Sequence, residues 1–574
     1  MPSVASRGWA RLLLACTAST LLAASPPELH DRTADSGVTI VTWSGGPEKN
    51  HILESTGNGV LAFDYDGDGD QDLFFPTAFR LAELGREPEE RSSLYRNDGG
   101  WRFVDVTEEA GVGAALYAHG GCVGDVNGDG LPDLYVTAYG ANVLYLNDGD
   151  GTFTDATQAS GAGDTRWGIG ATFFDADGDG DLDLYVANYV EATWAEILEA
   201  RRTRRWRGKV QVMDGPRGLP EAANAYYRNR GDGSFEEATE AAGFAVGGDG
   251  YSMGVASFDA EGDGDVDLYV ANDSEANRLY VNRGDGSFEE VGALAGVAYN
   301  GEGRAQGSMG VGVADYDGDG RPDIAVTNFA HDAYALYRNL DGRHFQDDSF
   351  ATGLAVATFV PLGWAALWAD VDNDGDLDLF LANGHIYPQV DDDPSLRESY
   401  RQRNQLLLNE GGVLSEVAAG DGLAVEESSR GAAAVDLDSD GDLDFAVSNQ
   451  DARPTLLETR SDPEHHWAVF ELGEAGGSSA IGTTLVALAG GRAGGRLQVR
   501  EVSSGSGYAS QNDLRMALGL GKSSAVDELT VRWPGRRRQR LLALPADRFY
   551  RLLPPSTNEV PPVSQRISEQ APPR

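Results

Sequence analysis

One nine-residue acidic loop occurs seven times along this chain, and that repetition sets the architecture. The third copy reads Asp175-Ala-Asp-Gly-Asp-Gly-Asp-Leu-Asp183 and continues into Leu184-Tyr-Val-Ala-Asn188. The copies begin at Asp64, Asp125, Asp175, Asp259, Asp315, Asp370 and Asp436. Self-similarity at a spacing of tens of residues means repeated supersecondary units that bury their apolar faces on one another. It overrides the several unrelated domains that 574 residues would otherwise suggest.

Positions one, three, five and nine of the loop carry the oxygen ligands a hard cation prefers. They are Asp64, Asp66, Asp68 and Asp72; Asp125, Asn127, Asp129 and Asp133; Asp175, Asp177, Asp179 and Asp183; Asp259, Glu261, Asp263 and Asp267; Asp315, Asp317, Asp319 and Asp323; Asp370, Asp372, Asp374 and Asp378; and Asp436, Asp438, Asp440 and Asp444. Asn127 is the one place without a carboxylate, and Glu261 lengthens a ligand. Position seven would add a backbone carbonyl, and position six, where the loop must turn sharply, is glycine in every copy. Four carboxylates held this close would repel one another without a cation. The expected cofactor is therefore Ca²⁺, up to seven ions, in a structural role. The EF-hand begins alike but needs a bidentate Glu at position twelve and flanking helices. Here position twelve is Phe75, Val136, Val186, Val270, Val326, Leu381 and Val447 within β-rich runs, which excludes a standard EF-hand.

The loops also explain the charge. Asp and Glu outnumber Lys and Arg by 91 to 45, for a net −46, and seven Ca²⁺ would bring this only to −32. Such a surface disfavours nucleic acid or an anionic membrane as partner.

Around each loop the pattern is that of four short strands. In the third copy Trp167 to Phe174 suits a crowded inner strand and Leu182 to Asn188 a second. A third ends at Tyr226-Tyr-Arg-Asn229, and Phe235 to Thr239 follows a Gly231-Asp-Gly233 turn. Four strands per 50 to 60 residues, seven times over, predict an all-β fold: a seven-bladed β-propeller spanning 28–460. The seventh unit lacks a clear fourth strand, whereas residues near 28–38 resemble the end of one, so the two ends of the ring are expected to pair. Residues 462–552 lose the acidic loops and alternate plainly. They predict a small all-β domain with strands at Trp467–Leu472, Thr484–Ala489, Arg496–Val502, Arg515–Leu520, Glu528–Trp533 and Leu541–Leu544. The proline-containing tail 553–574 is expected to be disordered.

Residues 1–25 carry Arg7 and Arg11 before the apolar run Leu12 to Ala24, the pattern of a signal peptide too short to span a bilayer. Export to the periplasm, the cell surface or the medium is expected, with lipoprotein anchoring at Cys16 a minor alternative. Cys122, the other cysteine, reads as a buried strand residue.

Two insertions, at about 189–225 and 384–405, fall after second strands and should decorate the face opposite the acidic loops. The first includes Glu191 to Arg207, helical in composition, and Gly215-Pro-Arg-Gly-Leu-Pro220. The second includes Asn383-Gly-His-Ile-Tyr-Pro388. That face is the expected binding surface, for protein or glycan. His385 and Tyr387 lie on it; a pocket lined by them and by arginines would favour an enzyme instead. Two Arg-Gly-Asp triplets, Arg230–Asp232 and Arg283–Asp285, fall in hairpin turns where Gly-Asp-Gly is expected anyway. No nucleophile elbow, phosphate loop or dinucleotide fingerprint is present.

The repeats resemble the FG-GAP/VCBS family, which implies integrin-type propellers with calcium between first and second strands. Ala480-Ile-Gly482, Gln498-Val-Arg-Glu-Val502, Ser504-Gly-Ser506, Tyr508, Ser510-Gln-Asn-Asp-Leu514, Gly519-Leu-Gly521 and Val531-Arg-Trp-Pro534 resemble the ASPIC/UnbV domain. With Gly215-Pro-Arg-Gly-Leu219 and Asn383 to Pro388, the whole is similar to the cartilage acidic protein family in a bacterial form. The resemblance implies secretion, calcium binding and roles in matrix or surface interaction. Some relatives lie in natural-product pathways such as enediyne assembly, so an enzyme of specialised metabolism is the alternative it implies. Met213-Asp214 stand where it implies a cysteine, so the disulfide it implies is not expected here.

Overall fold

A computed structural model describes residues 26–555, apart from 82, 83, 87, 201, 245–247, 249, 474–479 and 491–494, and the backbone of Ser568–Gln570. The expected signal segment lies outside the described residues.

Seven four-stranded antiparallel sheets stand in a ring, each inner strand packed against those of its two neighbours. The third blade runs Gly168–Phe174, Asp183–Asn188, Ala225–Asn229 and Phe235–Glu237. Its inner and second strands are buried throughout, whereas the outermost buries Phe235 and exposes Glu236 and Glu237. Small residues let the inner strands crowd together: a Cβ on Gly170 would sit 2.6 Å from the Met253 carbonyl of the next blade. Cys122 is buried in the second blade's inner strand, Ala118–Gly124. In the seventh blade Glu28–Asp31 is the outermost strand, paired antiparallel with Leu457–Arg460. Arg32 adds an ion pair to Glu458 at 2.8 Å.

The third strand ends on asparagine in blades one to five and has it next to last in blade six, and the structure supplies the reason. Asn229 donates its amide to the Leu182 carbonyl of its own loop at 2.9 Å and to Val126 of the preceding blade's loop at 2.8 Å. Asn97, Asn147, Asn282, Asn339 and Asn409 repeat this bolt, Asn97 reaching Leu437 across the ring closure. All six are buried. Asn229→Ala strands two buried carbonyls, each costing about 1–3 kcal/mol. Urea unfolding should therefore show a loss of about 2–4 kcal/mol; a loss below about 0.5 kcal/mol would remove the bolt from the account of stability.

The first insertion departs from expectation. Helix is confined to Trp194–Glu199, whereas Thr203–Trp206 pairs with Val210–Met213 as a hairpin. Arg207 and Gly208 make its turn with φ of 45° and 75°, a conformation no α-helix accommodates.

The C-terminal domain consists of two four-stranded sheets closed on Phe470, Leu485, Leu518, Leu529 and Trp533. Arg548–Leu552 is a strand the sequence pattern did not reveal; it pairs parallel with Ala468–Leu472. Ser568–Gln570, expected within a disordered tail, pairs antiparallel with Phe549–Arg551. The domain sits on the acidic-loop face: Arg496 meets Asp374 at 3.0 Å and Asp376 at 2.8 Å, and Arg515 donates to the Asp436 carbonyl.

Between the strands Arg496–Glu501 and Met516–Gly521 the chain leaves this domain and enters the propeller's central channel. Gln511 pairs with Leu61 of blade one and Gly507 with Val311 of blade five. Ser504 donates to the Val123 carbonyl of blade two. Tyr508, fully buried, donates its hydroxyl to the Thr56 carbonyl at 3.0 Å and packs edge-on against Trp364 of blade six at 4.8 Å. The plug fits because glycines stand where it passes closest: a Cβ on Gly59 would lie 1.7 Å from the Ala509 carbonyl, and one on Gly120 2.3 Å.

Candidate functional site: the acidic loops and the pocket opposite them

Each loop wraps its backbone around the first carboxylate. Asp64 accepts the N–H groups of Gly67 at 2.8 Å, Asp68 at 3.2 Å and Gly69 at 2.9 Å. Position nine ties the loop to the sheet: Asp72 accepts from the N–H groups of Tyr65 and Asn97 at 3.0 and 2.7 Å. Position four adopts left-handed backbone in each copy, from Gly67 at φ 76° to Asn373 at 57° and Ser439 at 61°.

Among the described residues, five loops bring three carboxylates within 4.8 Å of one another. They are Asp64, Asp66 and Asp72; Asp175, Asp177 and Asp179; Asp315, Asp317 and Asp323; Asp370, Asp372 and Asp374; and Asp436, Asp438 and Asp444. Asp68, Asp183, Asp319, Asp378 and Asp440 of the same loops stand outside those groupings. In the fifth loop Arg321 engages Asp319. The second and fourth loops are not gathered. Asn127 donates its amide to Asp129 at 2.9 Å, in a loop that also carries Asp125 and Asp133. Glu261 reaches Arg343 of the next blade at 3.0 Å while its charge still bears on Asp267, in a loop that also carries Asp259 and Asp263.

The gathered loops fit a hard divalent cation. Asp370 Oδ1, Asp436 Oδ1 and Asp438 Oδ1 are buried carboxylate oxygens without a hydrogen-bond donor, a costly state that a cation would relieve. Burial pushes the carboxyls of Asp64, Asp175 and Asp315 up to about 6, Asp183 and Asp436 to about 7, and Asp133 and Asp323 to about 8. A bound cation would supply the positive charge that keeps such groups ionised.

On the opposite face, where the channel is stopped from below by the plug, lies a pocket of about 250 Å³. Both insertions build its walls, with Arg204 and Met213 to Arg217 from the first and Ile386 and Tyr387 from the second. Met253, Met309 and Trp364, side chains of the channel mouth, supply apolar surface, and Tyr189 donates its hydroxyl to Asp273 at 2.8 Å.

The five stretches 64–136, 125–186, 218–270, 259–326 and 315–381 match the FG-GAP-like repeat family over half of the chain. This chain belongs to the FG-GAP-like repeat family. Residues 473–559 of the FG-GAP protein match the ASPIC and UnbV family. It is 28% identical over 276 residues to human cartilage acidic protein 1, and 27% identical over 277 residues to the mouse protein. Those alignments cover 47% of this chain and 38–39% of the curated relatives, so the matched region spans well under half of their length. Among solved structures, the BP39L lectin of Burkholderia pseudomallei aligns at a TM-score of 0.42 with 11% identity, over 71% of this chain and 96% of that one. A likeness that loose bears on neither ligand nor mechanism.

The FG-GAP protein's other candidates resolve simply. His385 is buried and does not line the pocket; its Nε2 lies 3.2 Å from Glu398. Burial acts to raise the Glu398 carboxyl, but contacts from His385, Trp206, Arg207 and His331 outweigh it and hold it at about 2. Glu398 thereby pins the hairpin of the first insertion to the second, with Trp206 Nε1 at 2.8 Å. Nothing in the sequence marked this acid. Its environment is assembled from distant segments, Trp206 lying 192 residues before it in the chain. Both Arg-Gly-Asp turns are hairpin tips whose aspartates accept from Ser234 and Ser287. Among the described residues no helix is long and apolar enough to cross a membrane.

Proposed function

We propose that this FG-GAP-repeat protein is an exported, calcium-stabilised binding module whose inserted face meets protein or glycan. One observation carries the reading. The ASPIC/UnbV domain sits on the acidic-loop face and fills the channel, while among the described residues a pocket stays open between the two insertions on the other face. Export rests on the apolar run at Leu12 to Ala24, and calcium on the gathered carboxylates with their unpartnered oxygens. The test compares wild type with a variant whose hairpin Thr203–Met213 is replaced by a short Gly-Ser turn, on a glycan array and in pull-downs, with matched melting curves as the folding control. Capture should fall at least about tenfold, the scale expected when a binding face loses its central contacts. Equal capture by two equally folded proteins would sink the reading.

A second reading, an enzyme of specialised metabolism, draws on the pocket and on Tyr387, Arg204 and Arg217 in its walls. His385, which that reading would have placed in the lining, meets Glu398 instead.

A further inference from the structure

The pocket walls carry two arginines that no carboxylate pairs. In a protein of net charge −46, most arginines described above sit against a carboxylate. Arg204 and Arg217 do not: among the described residues neither makes an ion pair, and both are exposed at the pocket. Arg204 lies over the Trp206 ring at 5.2 Å, and Arg217 donates one Nη2 bond to the Ser274 carbonyl at 3.2 Å. Arg204 also hydrogen-bonds the Tyr387 side chain, and the charges of both arginines act on Asp273, yet each keeps donors beyond these contacts in the planar fork that matches a carboxylate.

The acids that share the pocket are already engaged. Asp273 accepts from Tyr189 at 2.8 Å and Ser274 at 2.9 Å, Asp332 accepts from Gln306 at 2.8 Å, and Asp214 pairs with Arg202 at 3.4 Å. Behind the arginines the wall is apolar, with Met213, Met253, Met309 and Trp364 almost wholly buried. Apolar and polar groups share the wall about equally, an amphipathic lining that suits a small organic ligand with one charged end.

The geometry points to an organic carboxylate with an apolar body as the occupant, its charge between Arg204 and Arg217 and its body against the methionines and Trp364. This deepens the reading of the inserted face as the binding face and rests on it. The carboxylate can be carried by an aliphatic chain or by an acidic sugar, and two pairs of probes separate these sources. 3-Phenylpropionate is compared with 3-phenylpropionamide, and phenyl glucuronide with phenyl glucoside. Each is titrated by calorimetry to 10 mM against the full chain in calcium.

At least one acid should bind saturably and about tenfold or more tighter than its neutral partner, as a charge-assisted bidentate contact implies. Which acid does so identifies the carrier. Arg204→Gln/Arg217→Gln should abolish that preference at unchanged melting temperature, since both side chains are exposed. Absence of saturable binding by both acids, equal binding of acid and neutral probe, or a preference that survives the double substitution would each overturn the proposal. Loss of hairpin-dependent capture on arrays is a separate outcome. If capture persists while the acids fail, the binding face stands and the carboxylate assignment falls.

Discussion

Chelation with EGTA at pH 7.5 should lower the melting temperature of the purified protein by on the order of 10–20 °C. A ligand that binds only the folded state, at a hundredfold its Kd, stabilises by about 2.7 kcal/mol per site. Five gathered loops acting together would exceed about 10 kcal/mol, a large share of a typical folding free energy. The pH dependence has a definite sign. In the metal-free protein burial holds Asp183 at about 7 and Asp133 and Asp323 at about 8, above the ordinary 3.8, so the folded state binds more protons than the unfolded one. That contribution is fully present below about pH 4 and is lost as pH rises through 7 to 8. Calcium requires the ionised carboxylates and so competes with those protons. The melting-temperature difference between calcium-loaded and chelated protein should therefore widen from pH 5 to pH 8. Identical melting curves with and without EGTA at pH 7.5 would end the structural-calcium account.

The second large effect concerns the plug. Tyr508→Ala removes a fully buried ring from the centre of the propeller, together with its bond to Thr56 and its contact with Trp364. Truncating a buried aromatic costs about 3–5 kcal/mol. The ring here touches both the propeller and, through the chain, the C-terminal domain, so the two should melt together less cooperatively. Calorimetry should show the loss and, with it, new proteolytic cleavage between residues 503 and 514. Tyr508→Phe, which keeps the ring and drops only the hydroxyl, should lose about 1–3 kcal/mol, the cost of the stranded Thr56 carbonyl. A Tyr508→Ala loss under about 1 kcal/mol would mean that the segment merely lies in the channel without bracing it.

Much of this architecture is legible in the residues because each blade repeats the same local chemistry. Position-one aspartate, position-six glycine and the third-strand asparagine are all decided within one blade or between neighbours. Glu28–Asp31 was legible for a related reason: a ring of sheets cannot leave one blade a strand short without exposing an edge. The features that escaped are those assembled from distant segments. Ser504-Gly-Ser-Gly-Tyr-Ala-Ser510 reads as a loop, and only the ring of small residues around it turns it into a channel filling. Arg207 and Gly208 could have warned against a helix, but the arginine-rich composition around them is helical and outweighed one glycine. Glu398 gathers four partners that no local pattern connects. The two loops that are not gathered are the ones carrying Asn127, whose own amide bonds Asp129, and Glu261, which reaches Arg343, a distant partner no local pattern announces.

The two long-range closures also bear on how the molecule forms and fails. Arg32 meets Glu458 across 426 residues, and Tyr508 meets Thr56 across 452. Contacts of such high order are made late, after most of the chain is available, and folding that waits on them is slow. The reverse path is equally gated, because no blade can peel away while the end strand is paired and the plug is seated. The native state should therefore persist on a timescale set by the unfolding barrier rather than by equilibrium stability. A protein closed at both its rim and its axis is durable chiefly because it has no easy first step apart.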